Sequence, residues 1–417
     1  MYFMNDKCIS YSADGLTAKF DKEATVYVGM NDDDGFNRYM FNYTSTNPLK
    51  VSITYIYNSS KYNETLFLEA TDTEKTFRSF IDSFLTEGKA HGIEEFTFIN
   101  LGETVCEVKI SGLCTELVPV LSKSMAYIEN EYFSVGAFLA WGGGLSHISY
   151  KKDCPYGMCN LLNRYDAGRL VQQSYYGIIH EPYRVESYMN NKWPYNPVQG
   201  GDQYNNKSKL IDYELSDTKL YIKCRPRDWA KRGAFTDSYM ENVYSLEDKY
   251  IKVDNRFVDF SGYKHDSNRQ QKLPAFYTIS ALKKFSFYDG VNPWQGEALR
   301  EVRELNYWMY YDGYFNLKPE NTETWCAWTN DDPECDFGLG LFVPKITTYL
   351  AGRFMYDGSA DSADPSTSFV APLRSMIMKS FKPIEYSYLI TAGSIDEIRS
   401  TFTENSTLID NKALAEY

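Results

Sequence analysis

Residues 250–290 read YIKVDNRFVDFSGYKHDSNRQQKLPAFYTISALKKFSFYDG, and the spacing of apolar residues in this stretch decides the fold class. Ile251 and Val253 alternate with Lys252 and Asp254, a period of two that suits a strand with one face buried. PAFYTISAL (274–282) and KFSFYDG (284–290) follow with the β-branched and aromatic residues that pack well on a pleated surface, and turn residues separate the runs. Working outward, the same phrasing recurs in YFSVGAFLA (132–140), KLYIKCRP (219–226), SYMENVYSLED (238–248), TWCAWTN (324–330), FGLGLFVP (337–344), SFVAPLR (368–374) and IEYSYLITAG (384–393). Helix interrupts rarely, with IDEIRSTF (395–402) predicted as a short one near the C-terminus. Strands this closely spaced predict a large antiparallel sandwich rather than alternating β and α units, and no fixed-period repeat points to a propeller.

Toward the N-terminus, ATVYVGM (24–30), RYMFNYTS (38–45), KVSITYIY (50–57), TLFLEA (65–70), EFTFINL (95–101) and CEVKISGL (106–113) read as short strands. Within TEKTFRSFIDSFLTEG (73–88), Phe77, Phe80, Ile81 and Phe84 fall at helical spacing and predict a short amphipathic helix. The expected class is therefore all-β: a jelly-roll-like β-sandwich over residues 1–118, a linker near ELVPVLSKS, and a large antiparallel supersandwich over residues 124–417.

Composition narrows the partners. The 417 residues carry 43 Lys and Arg against 56 Asp and Glu, a net charge of −13, which repels phosphate backbones and argues against nucleic acid. Thirty-six Tyr, 25 Phe and 7 Trp stand against four His, an aromatic excess that serves sheet packing and also supplies flat faces for sugar rings. No run approaches eighteen apolar residues, so no membrane span is expected. The N-terminus lacks a basic stretch followed by an apolar core, which leaves a cytoplasmic protein or one exported with its signal removed. Eight cysteines include no CxxC pair; Cys154/Cys159 and Cys326/Cys335 flank short loops, and free thiols are the expectation.

Chemistry-bearing residues concentrate between Gly142 and Asp202. The run Gly142-Gly143-Gly144-Leu145-Ser146-His147 is followed by Asn163-Arg164-Tyr165-Asp166-Ala167-Gly168-Arg169, then Gln172-Gln173-Ser174-Tyr175-Tyr176 and Trp193-Pro194-Tyr195-Asn196-Pro197-Val198-Gln199-Gly200-Gly201-Asp202. Planar amides and guanidinium groups match vicinal hydroxyls, and aromatic faces cover the apolar side of a sugar ring. His147 is the candidate acid or base because imidazole titrates near neutral pH. Asp166 and Arg169 are read as orienting and charge-bearing groups, with a structural ion pair beneath the loops as the alternative; Tyr175 is a candidate proton donor. Asn163, Gln172, Gln173, Tyr176, Trp193, Asn196, Gln199 and Asp202 are candidate sugar contacts. A second group, with Arg256, Gln271, Tyr277, Tyr288, Trp294 and Glu297, is expected to border the same cleft. Hydrolysis would need two carboxyl groups across the bond, drawn from Asp166, Asp202, Glu241, Glu297 and Glu323. The glycine run lacks the Gly-Lys-Ser/Thr ending of a phosphate loop and no HExxH spacing occurs, so neither a cofactor nor a metal is expected.

The phrases Val253-Asp254-Asn255-Arg256, Leu273-Pro274-Ala275-Phe276-Tyr277, Tyr288-Asp289-Gly290 and Trp325 to Pro344 resemble the galactose-mutarotase-like supersandwich proteins, carbohydrate-active proteins that include epimerases, hydrolase domains and lyase domains. NRYDAGRLVQQSYYG and WPYNPVQGGD also look like a signature of bacterial secreted proteins of this kind. The resemblance covers roughly residues 124–400. It implies a supersandwich and a sugar ligand. Lys272 stands where an acidic residue is expected before Leu-Pro-Ala, and the His–Glu pair of mutarotases has no matching positions, so no reaction carries over. The sequence thus points to a carbohydrate-active protein acting on a poly- or oligosaccharide as glycoside hydrolase or polysaccharide lyase, with non-catalytic carbohydrate binding as the alternative.

Overall fold

A computed structural model describes residues 2–3, 9–12, 15–82, 84–121, 124–180, 183, 192–303, 305, 313–318, 323–355 and 358–417. The chain is all-β and its sheets are antiparallel, as the alternation predicts. It divides into two compact units, Met1–Ser124 with Asp259–Gly262 and Ser380–Lys382, and Met125–Val258 with Tyr263–Lys379 and Pro383–Tyr417.

The first unit holds two five-stranded sheets. Arg38–Ser45 shows why they stack: Tyr39, Phe41, Tyr43 and Ser45 point inward and the intervening residues do not. Phe41 meets Phe96 of the other sheet edge to face at 5.5 Å and stacks on Phe77 of its own sheet at 5.5 Å. Phe77 corrects the helix expected over 73–88. Thr71–Phe80 is a strand paired with Arg38–Ser45, with Phe77 opposite Phe41 and Phe80 opposite Arg38; only Phe84–Thr86 coils, as a 3-10 turn. The helical spacing of the phenylalanines lost to a ready-made sheet edge and the aromatic pair it offers.

The second unit contains sheets of three, seven and nine strands. Met125–Glu129, Phe133–Phe138 and Gly144–Tyr150 form the smallest. The seven-stranded sheet runs, edge to edge, Arg227–Asp228, Pro197–Val198, Gln172–Ser174, Arg269–Thr278, Thr367–Met376, Thr348–Phe354 and Tyr314–Asn316. The nine-stranded sheet is built around Ser238–Leu246, Ile251–Asp259, Ile384–Gly393 and Gly338–Phe342. Aromatic contacts join the inner faces of the two large sheets: Tyr175 stacks on Phe257 at 4.4 Å and Phe285 meets Tyr349 at 5.9 Å. Each such buried ring contributes roughly 1.5–3 kcal/mol by leaving water.

The outer face of the nine-stranded sheet is covered by the predicted helix, Ile395–Glu404. Ser394 and Glu397 close a reciprocal capping box at its start, while Ile398 and Phe402 pack on Trp325, Phe342 and Leu389. Arg399 reaches the fully buried Glu323 at 2.9 Å. Among the described residues no helix is long and apolar enough to cross a membrane.

The seven-stranded sheet keeps its other face for a cavity. Tyr277 lies opposite Phe369 with ring centroids 4.5 Å apart, and Ala275, Ala371, Leu373 and Leu350 complete an apolar floor. A register shift between Lys272 and Phe276 supplies an extra residue, which lets Lys272, Ala275 and Tyr277 share one side of the strand despite odd spacing.

Candidate active site

The cavity above this floor has a volume of about 450 Å³. Gln172, Ser174 and Val198 continue the floor; Tyr176, Trp193, Trp229, Tyr314 and Phe354 form aromatic walls; and Asp166, Arg169, Gln270, Lys272 and Asn196 bring polar groups to it.

Local chemistry explains how the loop Asp166–Arg169 is held. The Asp166 carboxylate accepts hydrogen bonds from the backbone N–H groups of Gly168 (2.9 Å) and Arg169 (3.1 Å), a self-closed turn. Gly168 must lack a side chain because a Cβ there would stand 2.4 Å from the Trp229 ring. Arg169 lies 3.6 Å from Asp166, donates to the Pro365 carbonyl and sits over the rings of Tyr165 (4.9 Å) and Phe354 (5.2 Å). The ion pair considered as the structural alternative therefore exists, and it exists at the cavity wall.

The strand Gln172–Ser174 and its continuation sort the neighbouring candidates. Side chains alternate across a strand, so Gln172, Ser174 and Tyr176 line the cavity while Gln173 and Tyr175 point to the core between the two large sheets. There the Tyr175 hydroxyl donates to Gln173 Oε1 at 2.8 Å, and Gln173 Nε2 donates to the Glu241 carbonyl at 2.8 Å. Gln199 accepts from the Gln173 N–H at 3.2 Å and donates to Asn242 at 2.7 Å; Asn242 donates to Asn255 at 2.6 Å, and Asn255 to the Tyr386 hydroxyl at 2.8 Å. Burial holds the Tyr175 phenol well above its usual pKa. Gln173, Tyr175 and Gln199, expected at the ligand, are thus parts of a buried polar network, because amides removed from water must bond one another.

Other candidates fall into three places. Gln172 lines the cavity while donating to the Ala167 (3.0 Å) and Arg169 (3.2 Å) carbonyls, and Asn196 does so while donating to the Tyr175 carbonyl (2.6 Å) and accepting from Trp193 Nε1 (3.1 Å). Asn163 and Asp202 are buried loop anchors: Asn163 donates to the Asp364 (2.9 Å) and Ser366 (2.8 Å) carbonyls, and Asp202 accepts from Tyr204, Asn206 and Gly233. Trp294 and Glu297 lie away from the cavity. Trp294 packs on Phe342 at 5.9 Å, and Glu297 accepts from Tyr288 (2.6 Å) and from the Val291 and Asn292 backbone, which lowers its pKa to about 2.

His147 also stands apart from the cavity lining. It sits in the three-stranded sheet opposite Gly136, edge-on to Tyr127 at 5.4 Å, with a pKa lowered by burial and by Arg164. The glycines before it serve packing, since a Cβ on Gly142 would meet the Gln199 carbonyl at 2.4 Å and one on Gly143 would meet Ile222 at 2.3 Å. His180 pairs with Asp266 at 3.1 Å; Glu181 beside it lies outside the described residues.

From the second expected group only Tyr277 lines the cavity. Gln271 acts from behind: its amide accepts from the Tyr176 N–H (2.7 Å) and donates to the Tyr176 carbonyl (2.9 Å), fixing that ring's backbone. Arg256 pairs with Glu385 and Glu241. Of the five carboxylates considered for hydrolysis, Glu241 is committed to Arg256 and Tyr221, and Glu323 to Arg399, Trp325 and Trp294; among the described lining residues Asp166 is the one carboxylate. The described cysteines are free thiols, and Cys8 lies outside the described residues. Among the described residues no group of three or more His, Cys, Asp or Glu is arranged to hold a metal ion.

Sequence reading missed Trp229, Gln270, Tyr314, Phe354 and the inward role of Lys272. Lys272 was noticed only as a departure from an expected acid; it lies over Tyr176 (5.6 Å) and Phe369 (5.5 Å). Tyr314 belongs to the same neighbourhood: burial raises its pKa, with Lys272 acting in the opposite direction and Tyr176 in the same one.

No family model matches the sequence, and no curated protein matches it. Solved structures similar to it include galactose mutarotase-like proteins. One from Lactobacillus casei is 11% identical, covering 64% of this chain and 99% of its own, with a TM-score of 0.39. A galactose mutarotase related enzyme from Lactobacillus acidophilus is 10% identical, covering 65% of this chain and 97% of its own, with a TM-score of 0.39. A protein in the glycosyl hydrolase family 38 from Enterococcus faecalis is 10% identical, covering 92% of this chain but 44% of its own, with a TM-score of 0.37.

Proposed function

We propose that this cavity binds a saccharide and that the protein is a carbohydrate-active enzyme. The observation that carries the reading is the convergence of Tyr176, Trp193, Trp229 and Tyr314 with Asp166, Arg169, Gln270 and Lys272 around one cavity of about 450 Å³. Rings cover the apolar faces of a pyranose, charged and amide groups meet its hydroxyls, and the volume falls within the usual range for small-molecule sites.

Between the two reactions expected from the sequence, elimination fits the lining better than hydrolysis. Hydrolysis draws on two carboxyl groups facing each other across the bond. Elimination from a uronate asks for one group to take the proton beside the carboxylate and another to protonate the leaving oxygen. Tyr176 and Tyr314 set two phenols about the Lys272 ammonium, and Arg169 adds a second cation. In this reading the Tyr314 phenol, which burial holds above its ordinary pKa, donates its proton to the leaving oxygen, and a second lining group takes the proton beside the carboxylate.

The test is incubation of the purified protein with neutral and uronate polysaccharides, reading reducing ends and the absorbance of unsaturated uronate. Both signals rising together are expected. Reducing ends alone would assign hydrolysis instead. Saturable binding without products would leave a carbohydrate-binding protein, and absence of binding across the panel would overturn the saccharide reading.

A further inference from the structure

The wall residue Tyr176 lies just past the end of a strand. Gln172–Ser174 pairs with Arg269–Thr278 through the backbone, and that pairing ends with Ser174 opposite Lys272. Over the next three residues side chains take the place of the missing strand. The Tyr176 N–H donates to Gln271 Oε1 at 2.7 Å, and the Tyr176 carbonyl accepts from Gln271 Nε2 at 2.9 Å. The Gly177 carbonyl accepts from Arg269 Nε at 2.7 Å, and the Ile178 N–H donates to His265 Nδ1 at 3.1 Å. The opposite edge is ordinary backbone: the Gly177 N–H donates to the Tyr195 carbonyl at 2.8 Å, and the Ile178 carbonyl accepts from the Tyr195 N–H at 2.7 Å. Each backbone polar group of residues 176–178 is thus bonded, as burial requires.

Of the three bracing side chains, one changes role with pH. An amide does not titrate and a guanidinium stays protonated, whereas an imidazole gains a proton between neutral and acid pH. A backbone N–H only donates, so Nδ1 of His265 is the acceptor and the neutral ring carries its proton on Nε2. Gly177 makes the approach possible, because a Cβ there would stand 2.5 Å from that Nδ1. The ring is buried; Tyr195 stacks on it at 5.7 Å and Tyr263 meets it edge-on at 6.1 Å. The charged groups nearby are Arg269, Asp266, which pairs with His180 at 3.1 Å, and Asp228. Asp228 lies one ring further off, bonded by Tyr183, which touches both Tyr195 and Tyr263.

We propose that His265 is a pH-sensitive positioning residue for the Tyr176 wall of the cavity. Protonated, Nδ1 becomes a donor facing a donor, and the buried Ile178 N–H loses its acceptor. The wall is held while His265 is neutral, so affinity is full on the alkaline side of its titration and falls as pH drops. The inference rests on the saccharide reading above.

The full chain is titrated by calorimetry with polygalacturonate and with neutral galactan at about pH 7.5 and about pH 5.5, on either side of an imidazole titration. Amide hydrogen exchange of the peptide spanning residues 175–180 is followed at the same two pH values and corrected for its intrinsic pH dependence. The polysaccharide that binds is expected to do so about fivefold more weakly at the lower pH, with exchange faster by a similar factor. His265→Asn offers a non-titrating oxygen in place of Nδ1 and is expected to bind normally and lose the pH dependence in both readouts. His265→Leu is expected to be weak at both pH values. His180→Asn and Asp228→Asn should leave the acid effect in place. Full pH dependence in folded His265→Asn, or its disappearance in His180→Asn or Asp228→Asn, would overturn the assignment. Faster exchange with unchanged affinity would make His265 purely structural and leave the saccharide reading standing. Binding of neither polysaccharide at the higher pH would overturn that reading and the effect on affinity, while exchange would still decide whether His265 holds Tyr176.

Discussion

The cavity wall and the core behind it are built from the same five-residue run, Gln172–Tyr176. Gln172, Ser174 and Tyr176 face the cavity, whereas Gln173 and Tyr175 join Gln199, Asn242, Asn255 and Tyr386 in a network sealed between two sheets. Residues of one type, adjacent in sequence, therefore do opposite work. On the cavity side an amide or phenol can meet a ligand. On the core side it must satisfy its neighbours, because an unmatched polar group there costs about 1–3 kcal/mol.

The largest effect that would test this division concerns carboxylates. Glu323→Ala removes the buried partner of Arg399 and is expected to destabilise the fold by about 3–5 kcal/mol, whereas Asp166→Asn, at a partly exposed pair, costs about 1 kcal/mol or less. Urea denaturation of both variants reads the difference; similar losses would erase the distinction between core and cavity acids. Next, Asn255→Leu strands the Asn242 amide and removes one partner of the Tyr386 hydroxyl, with an expected loss of about 2 kcal/mol and no direct effect on a ligand in the cavity.

On the other side of the strand, Tyr176→Ala is expected to weaken saccharide binding about tenfold while lowering the unfolding midpoint less than Asn255→Leu does. A stability loss without an affinity loss would place Tyr176 with the structural residues. A smaller effect follows from Glu297, whose pKa is lowered from 4.5 to about 2, first by the Tyr288 hydroxyl and then by the Asn292 backbone N–H. Folding favours its ionised form, so this contribution is complete above about pH 4.5 and is lost as pH falls toward 2; Glu297→Gln should flatten that limb of the stability curve. Smallest of all, His147→Ala is expected to change affinity and turnover by less than about twofold, since His147 lies in the three-stranded sheet outside the cavity lining. A collapse of turnover with retained folding would restore it as an acid or base.

Much of the architecture was legible because it depends on short-range regularities. Alternation marked Arg38–Ser45 and Ile251–Asp259 as strands, and the one α-helix among the described residues, Ile395–Glu404, falls where IDEIRSTF predicts a short one. The failure at Thr71–Phe80 is instructive: four apolar residues at helical spacing were outweighed by a pairing partner, Arg38–Ser45, distant in sequence. The site was legible only as a neighbourhood. Asp166, Arg169, Gln172, Tyr176, Trp193 and Asn196 do line the cavity, and Trp229, Tyr314 and Lys272 were missed because nothing local ties them to those residues.

By itself the sequence determined the all-β class and the gathering of chemistry-bearing residue types between Gly142 and Asp202, since both follow from spacing and composition within a few residues. Tertiary structure alone decided which side of each strand met the cavity, through the register shift beside Lys272 and the pairing of Gln172 with Ala275. The physical reason is the two-residue period of a strand: one step of register exchanges wall for core, and register is fixed by partners a hundred residues away.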